Sequence, residues 1–196
     1  MGISVQDIQK LRQATGVGMM EAKVALVEAS GDFDKAVDIL RKKGALKAAK
    51  RADREAGEGV VTSYIHAGGR IGALVELNCE TDFVAKTDDF KNLAYEVAKQ
   101  LAAMNPEYAT VESVPAEIIE KEKDVEKAKL EKEGKPTEVI EKILEGKIAK
   151  FYEENVLLKQ KYYLDDKKTI ESLIQESIAK LGENIKIGRI ARFQIK

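Results

Sequence analysis

His66 and Cys79 are the only imidazole and the only thiol in 196 residues. A single thiol excludes an internal disulfide and any multi-cysteine metal site. Cys79 falls on the apolar face of a strand-like run, so a buried, inert thiol is expected. His66 sits beside a turn with no serine, cysteine or acidic partner placed by a local motif, which makes it a surface residue. The chain contains no Gly-x-x-x-x-Gly-Lys-Ser/Thr phosphate loop and no Gly-x-Gly-x-x-Gly after a strand. It also lacks His-Glu-x-x-His and the Gly-x-Ser-x-Gly elbow. Carboxylates are plentiful, but no pair stands apart from the alternating charge around it. No catalytic residue, metal site or cofactor is expected. The product of such a protein is better sought in a partner's conformation than in a bond made or broken.

One stretch does stand out: Glu80-Thr81-Asp82-Phe83-Val84-Ala85-Lys86. It follows the strand-like run Ile71 to Cys79 and precedes the helical run Asp88 to Met104. Thr81 is a suitable N-cap, and Asp82 then sits in the first turn, where the helix dipole favours a carboxylate. Phe83 has no such local reason. An aromatic ring at a strand-to-helix corner is either buried or presented, and the residue pattern alone favours burial.

The elements around this corner follow from periodicity. Ser4-Val5-Gln6-Asp7 resembles a capping box with Asp in place of Glu or Gln, opening a helix with Val5, Ile8 and Leu11 as its apolar stripe. Thr15 to Gly18 breaks it. A second helix runs from about Met19 to Ala29 with Met20, Val24 and Val27 toward the core. Adjacent helical positions point about 100° apart, so Met19 cannot share that stripe. It forms either an adaptable contact surface or a cover for a neighbouring helix. Phe33, Ala36, Val37 and Leu40 define a third helix, closed at Gly44 as a C-cap residue. The basic, Ala-rich segment Arg41 to Arg54 reads as a solvated connecting helix, with an RNA contact as the other reading. The segment Ala56-Gly57-Glu58-Gly59 marks the domain boundary.

Val60 to His66 and Ile71 to Cys79 flank Ala67-Gly68-Gly69-Arg70, a hairpin signal. In the second strand Ile71, Ala73, Val75, Leu77 and Cys79 share one face. Phe90, Leu93, Ala94, Val97 and Leu101 give the next helix its core stripe, and Asn105-Pro106 ends it. A charged helix from Pro115 to about Lys132 carries a thin apolar line, Ile118 and Val125. After Gly134-Lys135-Pro136 another helix carries Ile140, Ile143, Leu144, Ile148 and Phe151. Leu157, Leu158, Tyr162, Tyr163 and Leu164 form an aromatic patch in a less regular segment. A last helix from Ile170 to Leu181 precedes a terminal strand, Ile185 to Ile195, whose alternation Arg189 interrupts. The fold class expected is α+β: a three-helix bundle, then an antiparallel sheet packed with helices.

Charged residues make up 34% of the chain yet cancel to a formal charge of -1, which disfavours nucleic acid as a direct partner. The first ten residues lack the basic and apolar regions of a secretion signal. No apolar run approaches the roughly 18 residues of a membrane span. A cytoplasmic protein with no membrane partner is expected.

Two stretches resemble signatures of the bacterial translation elongation factor Ts family, in its short form. They are Leu11-Arg12-Gln13-Ala14-Thr15-Gly16-Val17-Gly18-Met19-Met20 and Glu76-Leu77-Asn78-Cys79-Glu80-Thr81-Asp82-Phe83-Val84-Ala85-Lys86. They occur in the family's order and separation, and the likeness continues to the C-terminus. Ala22, where many relatives carry Cys, is a small departure. The resemblance implies a guanine nucleotide exchange factor that binds the GTPase elongation factor Tu and promotes GDP release during translation elongation. It implies a ubiquitin-associated-like bundle within residues 1–54 that docks on the GTPase's G domain, with contacts from Arg12, Met19 and Met20. Residues 55–196 would then be an α+β core and dimerisation domain. It further implies that the corner Thr81, Asp82, Phe83 and Val84 enters between two helices of the GTPase near its magnesium site. Phe83 would part an apolar seam and Asp82 would hold the displaced helix, so the resemblance places Phe83 outside the core. Long members carry two related core subdomains, and this chain has room for one. Short members form homodimers, which implies a heterotetramer with two Tu molecules, with the strand Ile185 to Ile195 as candidate interface.

Overall fold

The structure is a computed structural model and describes residues 3–195. Among the described residues, eight α-helices and five strands give the α+β class expected. In chain order the helices are α1 (Val5–Thr15), α2 (Met19–Glu28), α3 (Phe33–Ala49), α4 (Asp82–Ala85), α5 (Asp88–Met104), α6 (Ala116–Lys132), α7 (Thr137–Asn155) and α8 (Ile170–Leu181). The strands are β1 (Glu58–Ile65), β2 (Ile71–Cys79), β3 (Lys161–Tyr162), β4 (Asp165–Thr169) and β5 (Ile185–Gln194). The chain forms two compact units. Among the described residues, one comprises 3–61, 77–94 and 171–186; the other comprises 62–76, 95–170 and 187–195.

In the first unit, α1 begins at the capping box expected: the Ser4 hydroxyl accepts the Asp7 N–H while the Asp7 carboxylate accepts the Ser4 N–H. The bundle core is Ile8, Leu11, Ala22, Ala25, Leu26, Ala29, Ala36 and Leu40. This corrects two sequence-based stripes. Val5 stands exposed in the first turn of α1. In α2 the residues Met20, Val24 and Val27 face outward, and the alanine-rich side faces the core. That helix is apolar on two sides, so periodicity could not choose between them. Small side chains let short helices approach closely, and packing therefore selects the alanine face.

A second correction concerns Gly44. It lies inside α3, which continues to Ala49, and is buried against α8. A Cβ at this position would stand 3.6 Å from the Cβ of Ala179 and 3.7 Å from the Gln175 carbonyl oxygen, ordinary contact distances. Helix termination does not explain the residue, and the packing against α8 leaves room for a methyl group. Gly59 differs: with φ at 153° it lies so close to β2 that a Cβ would be 2.1 Å from the Leu77 carbonyl oxygen.

β2 is the central strand of a three-stranded sheet ordered β1-β2-β5. The Gly68-Gly69 turn, both residues at positive φ, joins β1 to β2, and His66 N–H donates to the Ile71 carbonyl at 2.9 Å. β5 runs antiparallel to β2, as the Ile195 N–H to Arg70 carbonyl bond and the Arg189–Glu76 ion pair show. Ala73, Val75, Leu77 and Cys79 are all buried, as their alternation predicts. The terminal row behaves differently along its length. Ile185 and Ile187 are buried, whereas Phe193 and Ile195 stand bare.

In the second unit α6 and α7 form an antiparallel hairpin. Its apolar line is not Ile118 and Val125, which are exposed, but Leu130 and Ile140. Two helices packed mainly on each other bury only a narrow seam. Beside that seam Glu126 accepts from Lys129 and pairs with Lys147 at 3.0 Å. The aromatic segment read as irregular contains the β3–β4 ladder. Buried Gln100 donates to the Gln160 side chain and the Lys161 carbonyl, and accepts the Tyr163 N–H. The Tyr162 and Tyr163 hydroxyls both donate to Glu96.

The two glycines give substitutions of opposite sign. Gly44→Ala is expected to raise unfolding stability by up to about 1 kcal/mol, the helix-propensity difference. Gly59→Ala is expected to lower it by about 1–3 kcal/mol or more through backbone strain and overlap. Urea unfolding of the two variants reads both, and a destabilised Gly44→Ala would show that the α3–α8 approach leaves no room.

Candidate functional site

The corner after β2 is built by polar groups. Thr81 has extended dihedrals, φ −130° and ψ 154°, and caps the single-turn helix α4 by accepting the Val84 N–H at 3.4 Å. The Thr87 hydroxyl donates to the Val84 carbonyl at 2.8 Å and accepts the Phe90 N–H at 3.3 Å. It thereby ends α4 and starts α5. Ala85 is buried and is the inward-facing residue of this turn, while Val84 is half-buried. Phe83 points the other way and is 79% exposed. The burial favoured by residue pattern alone is thus not what the fold adopts.

Behind the ring, two adjacent residue pairs face each other. The Glu183 carboxylate accepts the Thr81 N–H at 3.0 Å and the Thr81 hydroxyl at 2.6 Å. In return, the Glu80 carboxylate accepts the Asn184 N–H at 2.6 Å. Glu80 also pairs with Arg54 at 3.2 Å and Arg51 at 3.6 Å. The Asn184 side chain donates to the Arg54 carbonyl at 2.7 Å. The Asn184 N–H, with the two arginines beside it, holds the Glu80 carboxyl below its ordinary value. Sequence reasoning missed Glu183 and Asn184. Nothing local marks them, because their partners lie more than 100 positions earlier.

Cys79 donates its thiol proton to the Thr81 carbonyl at 3.1 Å. Burial first, and the nearby Glu183 charge second, push its pKa up, so the thiol stays protonated as expected. On the solvent side Lys86 donates to Asp82, and that bond holds the Asp82 carboxyl low. The presented surface is therefore an aromatic ring beside an exposed carboxylate–ammonium pair. The Asp82 carboxylate keeps lone pairs for a further donor.

Four of the seven expected contact residues, Thr81, Asp82, Phe83 and Val84, come together here. Thr81 is the exception in kind: its one hydroxyl proton goes to Glu183, so it orients the corner from within. Arg12, Met19 and Met20 lie on the helical bundle, Arg12 exposed in the last turn of α1 and both methionines in the first turn of α2. Met20 is 70% exposed, more than Met19 at 39%. With Val24 and Val27 it forms an exposed apolar stripe.

His66 is exposed, its Nδ1 3.1 Å from the Tyr64 hydroxyl. Among the described residues, no group of three or more His, Cys, Asp or Glu side chains is placed to hold a metal ion. No helix among them is long and apolar enough to cross a membrane.

A family model described as Elongation factor TS matches residues 32–177. The chain is 56% identical over 195 residues to elongation factor Ts of Fervidobacterium nodosum, covering 100% of this chain and 99% of that one. It is 57% identical over 193 residues to elongation factor Ts of Syntrophomonas wolfei, covering 98% and 90%. Against elongation factor Ts of Thermotoga sp. (strain RQ2) it is 54% identical over 195 residues, covering 100% and 97%.

An exposed ring contributes little to folding. Phe83→Ala is expected to change stability by no more than about 0.5 kcal/mol. Truncation of the buried Phe90, by contrast, should cost about 3–5 kcal/mol. Thermal melts of the two variants give the comparison, and a large loss for Phe83→Ala would show that the ring packs within its own chain.

Proposed function

The chain belongs to the elongation factor Ts family of translation elongation factors, and from that premise we propose that it is the nucleotide exchange factor of the GTPase elongation factor Tu. The observation that carries this reading is the ring of Phe83, held out into solvent on one helical turn beside Asp82. In this mechanism Phe83 enters an apolar seam between two helices of the GTPase and Asp82 accepts hydrogen bonds from the displaced helix. The magnesium and phosphate contacts of bound GDP weaken, and GDP leaves. The helical bundle of residues 1–54 docks on the G domain through Arg12, Met19 and Met20, and the outward stripe Met20, Val24 and Val27 extends that surface. Val84 completes the contact at the corner. The factor needs no cofactor, metal or nucleotide site of its own.

Thermodynamic linkage constrains the mechanism. A factor weakens nucleotide only by preferring the GTPase conformation that holds nucleotide poorly, and nucleotide must weaken the factor by the same ratio. Nucleotide-free Tu is then its tightest partner, and exchange accelerates in both directions.

An RNA-binding role for Arg41 to Arg54 has less support. Lys43 pairs with Glu28, Lys47 with Glu21, and Arg51 and Arg54 with Glu80, so much of that charge is matched within the chain. Phosphate recognition draws on unmatched cations.

The dimer rests on the second unit. Ile65, Leu74, Phe193 and Ile195 are large, apolar and exposed around one end of the sheet, and β5 is an edge strand. A second copy presents the same patch, so a closed two-fold pairing covers both, and two Tu molecules complete a heterotetramer.

Stopped-flow release of labelled GDP from elongation factor Tu, with this protein at substoichiometric amounts, tests the exchange reading. Multiple-turnover acceleration is expected, and Phe83→Ala should reduce it by about tenfold or more, roughly 1.4 kcal/mol of lost transition-state binding. Binding to Tu without faster release would leave a passive chaperone instead. Light scattering addresses the dimer: the parent chain should give twice the monomer mass and Phe193→Asp a single monomer mass, whereas a monomeric parent removes the pairing.

A further inference from the structure

A helix of four residues does not hold itself together. Nucleation costs more than one turn of hydrogen bonds returns, and α4 is a single turn held at its ends by the Thr81 cap and by Thr87. Its outer residue, Phe83, gains almost nothing from burial, and the Thr81 cap to the Val84 N–H is long at 3.4 Å. Thr87 holds the far end of the turn, and the near end, where the chain leaves the strand and carries the ring, depends on what fixes Thr81. Both polar hydrogens of that residue, on the backbone nitrogen and on the hydroxyl, go to one carboxylate, that of Glu183. Two charge-assisted bonds from one residue to one carboxylate restrict rotation as well as distance. With its proton committed to Glu183, the Thr81 oxygen turns a lone pair toward the Val84 N–H. The neighbouring Glu80–Asn184 bond closes the reciprocal pair, but Glu80 also serves the arginines of the segment before β1. Glu183 is directed at the corner.

We propose that Glu183 is a positioning residue for exchange: acting through Thr81, it sets the fraction of molecules in which Phe83 is presented correctly. This inference rests on the exchange-factor reading above. It makes a kinetic distinction. A residue that sets the competent fraction divides the dissociation constant by that fraction, so a smaller fraction weakens apparent affinity, and it leaves the step after docking unchanged. Glu183→Ala should therefore raise the KM for the Tu–GDP complex by about tenfold, the equivalent of one charge-assisted hydrogen bond, with kcat nearly intact. Phe83→Ala, which removes the acting group, should lower kcat.

The test is a double-mutant cycle on the full chain in the GDP-release assay, together with amide hydrogen exchange of the protein without partner. Glu183→Ala should add almost nothing in the Phe83→Ala background, because there is no ring left to position. The Thr81 and Val84 amides should exchange faster in Glu183→Ala, while those of the central strand β2 keep their protection. Glu183→Gln retains one acceptor oxygen and should lie between, which preserves the test if the alanine variant unfolds. Equal effects of Glu183→Ala in both backgrounds, a loss of kcat without a KM change, or unaltered Thr81 and Val84 exchange would each overturn the proposal. If the parent chain does not accelerate GDP release, the exchange-factor reading fails, and the hydrogen-exchange arm still reports whether Glu183 orders the corner. If it does but Phe83→Ala is equally active, the Phe83 role and this proposal fail together.

Discussion

A phenyl ring surrounded by water adds little to the fold that carries it, so its placement must be fixed by groups other than itself. In this chain those groups are polar and mostly distant in sequence. Thr81 is tied to Glu183, Glu80 to Asn184 and the arginines, and Thr87 to Val84 and Phe90. Hydrogen bonds suit this task because they are directional, whereas apolar burial would draw the ring inward. Ala85 is the buried residue of the turn, and its methyl group seats the turn without competing with Phe83 for the core.

In the bundle, too, large apolar side chains are left at the surface beside a buried face rich in alanine. Alanines line the meeting faces of α2 and α3, leaving Met20, Val24 and Val27 at the surface. In the sheet, Gly72 lies beneath Ile65, whose Cδ1 is 3.0 Å from where a Cβ would be. Large apolar groups exposed together mark surfaces meant for another molecule. Methionine is suited to such a surface because its unbranched, polarisable side chain adapts to a partner's shape.

Much of this was legible in the sequence. Strands and helices with one dominant apolar face were placed correctly: β2, α5 and α8 agree closely with their alternation or helical period. The capping box at Ser4, the Gly68-Gly69 turn and the Thr81 cap were readable because each is set by neighbours within four residues. What could not be read depends on tertiary context. α2 carries two apolar faces and only packing chooses between them. Gly44 has the residue type of a helix end, yet α3 continues through it and packs that face on α8. At the corner, Thr81 and Asp82 could be placed by local rules. The outward direction of Phe83 came from family resemblance, and Glu183 carries no local signal at all.

The separation between Thr81 and Glu183, 102 positions, also bears on how the protein is made. While the chain is still emerging from the ribosome, the Thr81 to Val84 segment is synthesised long before the carboxylate that orders it. Helical segments such as α1 to α3, whose contacts with one another are local, form early, whereas the Thr81–Glu183 bonds close only after α8 has followed. An incomplete chain ending before Glu183 therefore carries the corner's sequence without its geometry. Competence arrives late in synthesis, and premature termination leaves a product that has the motif yet lacks the anchor that presents it.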